Sequence, residues 1–121
     1  MPELTKGEKK IARELIEKSV VAEYRDFMKK VEAMVNDPAN KEKEPRERFW
    51  EFHKQFRDFG KHIERRYDGL GGSQYASTVL YLYLDKLVTK EEIERFTPEI
   101  QEWIFWVEKN NEERKKWDNT P

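Results

Sequence analysis

No cysteine occurs among the 121 residues, which excludes a disulfide framework, a thiolate zinc site and a cysteine nucleophile. The absence suits a reducing interior. Long apolar runs are missing too. The longest strictly apolar stretch, Val79 to Leu84, is far below the roughly 18 residues that a membrane-spanning helix needs. The opening MPELTKGEKK has no apolar segment of the kind that a secretory signal carries. A cytoplasmic protein without membrane attachment is expected. Nor is there a surplus of charge: 24 lysines and arginines face 25 aspartates and glutamates. Charged residues make up 40% of the chain, but their balance and an aromatic content of 13% favour folding, because large rings supply area to bury.

Glycine and proline are sparse, five of each, and the internal ones punctuate helices. Over residues 8–36, Ile16, Val20, Tyr24, Phe27, Val31 and Met34 recur at helical spacing, and Asn36-Asp37-Pro38 stops the pattern, since proline disfavours the helical conformation just before it. The polar segment 37–44, with its KEKE run, reads as a loop. Pro45 suits the first turn of a second helix, over 46–67. This is the clearest amphipathic element, with Phe49, Phe52, Phe56, Phe59, Ile63 and Tyr67 in register. Gly60 inside it costs about 1 kcal/mol relative to alanine and predicts a close helix contact there. Asp68 and Gly69 end it.

Residues 73–88 are apolar on all sides, which predicts a covered, central element. VLYLYL has strand propensity, but no second strand candidate exists to satisfy its backbone, so a helix is expected. Thr89 with Glu92 forms a capping box for a short helix to about Phe96. Thr97-Pro98 starts a last helix to about Trp117. That helix sends Ile100, Trp103, Ile104 and Val107 to one side, Trp106 to a flank and Phe105 to the far face. Trp117 is the only candidate anchor in the tail.

Signatures of cofactor or metal chemistry are absent. The loop Gly69-Leu-Gly-Gly-Ser73 precedes a helix, where backbone N–H groups can hold an anion, yet it has neither the third glycine of a dinucleotide fingerprint nor a Gly-Lys-Ser/Thr ending; it reads as a sharp turn. His53 and His62 lie about half a turn apart around one helix, and neither follows a glutamate by three residues as carboxylate di-metal bundles require. The pairs Glu14/Glu17, Glu91/Glu94 and Glu99/Glu102 are not extended as in helical pyrophosphohydrolases and read as surface carboxylates. There is no Gly-x-Ser-x-Gly elbow.

Arg57-Asp58-Phe59-Gly60-Lys61-His62 resembles the arginine, polar residue, three variable residues, histidine signature of HEPN ribonucleases, small all-helical domains that cleave RNA as dimers. The resemblance implies active-site roles for Arg57 and His62 at a dimer cleft, with Asp58 at the polar position. Histidine moves protons near neutral pH and arginine stabilises a phosphorane's charge. The same helix carries Lys54, Arg57, Lys61 and Arg65 as a basic stripe that a phosphate backbone can follow. Glu47, Glu51 and Asp58 stand where they can pair with it, which favours a salt-bridged, solvated face over a nucleic-acid track.

The expectation is therefore a single all-α domain over 1–121, a bundle of four main helices and one short one, with 1–7 and 118–121 frayed. Phe52, Phe56, Ile63, Val79, Leu80, Leu84, Ile104 and Val107 are its candidate core. In function it reads as a non-enzymatic protein-interaction module that associates with itself or another protein through helix faces, with Phe105 and Trp106 as contact residues. A nucleic-acid-binding protein or a HEPN-like ribonuclease is the rival.

Overall fold

The structure, a computed structural model, describes residues 2–118, the side chains of 117 and 118 excepted. The side chain of the proposed anchor Trp117 and the tail residues 119–121 thus lie outside the described residues, whereas Lys6 and Gly7, expected to be frayed, begin α1. The chain forms the expected all-α bundle: α1 Lys6–Asn36, α2 Pro38–Lys41, α3 Pro45–Tyr67, α4 Tyr75–Leu84, α5 Lys90–Ile93 and α6 Pro98–Asp118, with a 3-10 turn at Gly72–Gln74. No strand occurs among the described residues, and no helix is long and apolar enough to cross a membrane. The fold divides into two compact units, Met1–Ser19 with Leu70–Pro121, and Val20–Gly69.

The first unit holds every fully buried apolar side chain among the described residues, including Ala12 and Leu15 of α1, Val79 and Leu82 of α4, Ile93 of α5, and Ile100 and Ile104 of α6. Each such aliphatic contributes about 1.5–3 kcal/mol before conformational entropy is subtracted. α1 starts two residues before the expected position, because Thr5 and Glu8 form a reciprocal capping box: the Thr5 N–H donates to Glu8 Oε1 at 3.1 Å and the Glu8 N–H to Thr5 Oγ1 at 3.2 Å. The other oxygen of Glu8 accepts from Thr97 N and Thr97 Oγ1, both at 3.0 Å. One buried carboxylate therefore ties the start of α1 to the residue before α6. Burial pushes its pKa up, but the hydrogen bonds from Thr97 and Thr5 together outweigh this and hold it below the ordinary carboxylate value.

The central apolar stretch is a shorter helix than its composition suggests. It ends at Leu84, not Val88, and Tyr81 is exposed, so it is not covered on all sides. Phe105, expected to face away from the core, packs edge-on against Tyr83 at 5.9 Å and lies under the Lys90 ammonium. Tyr83 donates to Glu108 at 2.9 Å. Burial, then the neighbouring Glu108 carboxylate, push its hydroxyl up to about 12. Lys18–Glu92 and Arg95–Glu14 ion pairs link α1 to α5 and the turn after it.

In the second unit, the expected loop over 37–44 contains the one-turn helix α2. Asp37 caps it by accepting from Ala39 N at 3.0 Å, and Pro38 occupies its first position. Of the candidate core, Val79, Leu80 and Ile104 are buried, Phe52, Ile63, Leu84 and Val107 are half-buried, and Phe56 is exposed. None of residues 20–69 is fully buried.

Candidate interaction surface

Residues 20–69 form a hairpin in which the later part of α1 packs along α3. Phe27 stacks on Phe59 with centroids 4.1 Å apart and meets Phe56 edge-on at 5.3 Å, while Tyr24 meets Phe59 edge-on at 5.3 Å. Further along α1, the Val35 carbonyl accepts from Arg48 Nη2 at 2.9 Å. Later positions on α1 thus meet earlier ones on α3, and the two helices run antiparallel. The heptad spacing of α3 produces this seam, because residues three and four apart share one helix face.

At the other end of the seam three donors converge on Glu23. His62 Nε2 lies 2.7 Å and Arg66 Nη1 3.1 Å from its Oε1, and Tyr67 donates to its Oε2. Burial, then the Glu23 carboxylate, raise the Tyr67 pKa above its ordinary value. Each of these groups satisfies another, which makes the cluster a clasp between two helices.

The apolar stripe is wider than the seam. Val21, Tyr24, Met28 and Val35 of α1 and Phe49, Trp50 and Phe56 of α3 remain exposed, from 38% for Val35 to 62% for Trp50. At about 100° per residue, Tyr24, Met28 and Val35 fall on the flank of α1 beside Phe27. Phe49 and Phe56 fall on the flank of α3 beside Phe52 and Phe59. In an antiparallel pair these two flanks open on the same side, opposite the one where Glu23 meets His62. From Phe49 a ring cluster continues through His53 and Trp50 toward the back of α3, with centroids 5.1–6.1 Å apart. Beside it, Lys41, Lys43, Pro45, Arg48, Phe49 and Phe52 line a shallow cavity of about 300 Å³. Sequence reasoning assigned Phe56 to the core, placed Tyr24 and Met28 in the core-facing stripe of α1, and passed over Trp50. The available signal was the width of the stripe, since Trp50 stands off the heptad seam in an otherwise charged stretch.

The predicted close helix contact at Gly60 is not present among the described residues. A Cβ built there meets nothing within 4 Å.

The residues of the ribonuclease-like motif are not brought together. Arg57 pairs with the adjacent Asp58 at 3.7 Å, both about half exposed, while His62 turns to Glu23. Lys54, Arg57, Lys61 and Arg65 are all exposed. Of the acids expected to pair with them only Asp58 does so; Glu51 turns instead to Lys43, 2.8 Å away. Lys54, Lys61 and Arg65 have no side-chain partner among the described residues. In the other unit Trp106 is 66% exposed on α6.

No family model, curated protein or solved structure matches this chain.

Proposed function

We propose that the chain is a non-enzymatic protein-interaction module that works through the aromatic flank of the 20–69 hairpin. The observation that supports it is the combination of seven exposed large apolar side chains on a unit with no fully buried residue. Contiguous apolar surface of this kind marks interaction sites, and aromatic residues are the side chains most enriched where binding energy concentrates. Trp106 is a separate contact candidate on the other unit. Phe105, already packed against Tyr83, serves that face from within.

The test places a photo-crosslinking amino acid at position 49 or 56 of the full chain in expressing cells. Discrete protein adducts are expected from both positions and none from the exposed, polar position 10. If neither 49 nor 56 captures any protein, the proposal fails.

The unpartnered cations Lys54, Lys61 and Arg65 favour a second reading, a nucleic-acid track along the back of α3. It requires single-stranded RNA to bind with affinity that falls as salt rises. An absence of binding at low salt removes it, and an absence of cleavage that depends on His62 removes the HEPN-like version.

A further inference from the structure

We propose that the occupant of the aromatic flank is a second copy of this chain, the two copies of α3 crossing antiparallel with their two-fold axis between Phe56 and Gly60. This rests on the interaction reading above and names its partner.

Area is the first reason. A whole aromatic side chain presents about 150–250 Å², so the half-exposed rings of Tyr24, Phe49 and Phe56 offer roughly 250–400 Å² of apolar surface. With Val21, Met28 and Val35 added, the flank supplies roughly the apolar half of the ~800 Å² per partner that a stable interface buries. A hairpin of two helices has no third element of its own to enclose a core, whereas two hairpins supply the four helices of a bundle.

Gly60 is the second, independent reason. A glycine inside a helix is less favourable than alanine, and it is retained where the backbone needs positive φ or where something must approach closely. Gly60 has no positive φ. Among the described residues it needs no room either, because its missing Cβ would meet nothing within 4 Å. Space is left for an approach from outside, on the flank where Phe56 stands exposed one turn earlier.

Symmetry selects the occupant. On one helix face, Phe56 is a knob and Gly60, four residues later, a hole. When two such helices cross antiparallel about an axis midway between them, each Phe56 enters the other copy's Gly60 position, and both contacts form together, as an isologous interface requires. A foreign partner would have to supply an independent knob at the same place.

Sedimentation velocity on the full chain tests this. The wild type is expected to sediment as a dimer at micromolar concentration. Phe56→Glu and Gly60→Leu should each give monomers with unchanged helical circular dichroism. Gly60→Ala, which favours the helix itself, should still weaken the dimer about tenfold while raising the monomer's melting temperature. Tyr81→Ser, in the other unit, should leave the dimer intact. A monomeric wild type overturns the proposal, as does a dimer indifferent to Phe56→Glu and Gly60→Ala together. If the chain is monomeric while crosslinkers at 49 and 56 capture other proteins, self-pairing alone fails. If they capture nothing, the interaction reading fails with it.

Discussion

Ser19 is fully buried and its hydroxyl has no hydrogen-bond partner among the described residues. An unsatisfied buried polar group costs about 1–3 kcal/mol, and serine is also a weaker helix former than alanine. Ser19→Ala is therefore expected to stabilise the fold by about 1 kcal/mol, read as a higher midpoint in urea with the m-value unchanged. A lower midpoint would show that the hydroxyl has a partner in solution. Nothing in the sequence announces this residue, because its neighbours Lys18 and Val20 fit a helix whether position 19 faces in or out. Glu8 left a local signal that the sequence reading passed over. Thr5-Lys6-Gly7-Glu8 has the spacing of a capping box, but its second pair of bonds, to Thr97, joins positions 89 residues apart and is beyond any local pattern.

Among the elements, α4 shows why a boundary was misplaced. Lys86 adopts φ 65°, and the Leu87 N–H bonds the Leu82 carbonyl at 2.9 Å while the Lys86 N–H bonds that of Tyr83 at 3.0 Å. This is a Schellman motif, which commonly carries glycine at its left-handed position. With lysine there, Leu87 and Val88 continue the apolar run and the stop is invisible in the composition. Lys86→Gly removes the Cβ strain of a left-handed residue and should stabilise the chain by roughly 0.5–1 kcal/mol. A rise of several degrees in melting temperature is the expected result, and a fall would mean that the Lys86 side chain holds α4 by a contact of its own. The other long helices were legible within two residues because proline, capping residues and the 3.6-residue period all pointed to the same ends. Which faces of α3 are covered was not, since a heptad stripe looks the same whether its partner lies in the chain or outside it.

At the scale of the whole molecule, stability has an acid and an alkaline limit. The folded pKa of Glu8 lies below its ordinary value of 4.5, so its contribution is complete above that value and is lost as pH falls through the folded one. Tyr67 and Tyr83 are shifted upward, Tyr83 to about 12. Their contribution is complete below the ordinary value of 10 and is lost as pH rises toward the folded ones. Denaturant melts across pH should show both limits. Glu8→Gln should lower stability near neutrality by about 1–3 kcal/mol, as for hydrogen bonds to a charged group, and flatten the acid limb. An acid limb that stays equally steep would exclude Glu8 as its cause.

Three things could be read from the sequence alone: that the chain is all-helical, where its long helices start, and that disulfide and thiolate chemistry are closed to it. These follow from local physics: absent residue types, proline and capping signals, and a periodicity that needs no distant partner. The packing of the elements settled the rest: that the fully buried apolar side chains among the described residues all belong to one unit, that Phe105 packs against Tyr83, and that Phe49, Trp50 and Phe56 remain exposed. Burial depends on which elements meet in space, and an apolar residue at helical spacing carries no record of what covers it. The aromatic flank became visible only once the chain's own contacts had been accounted for.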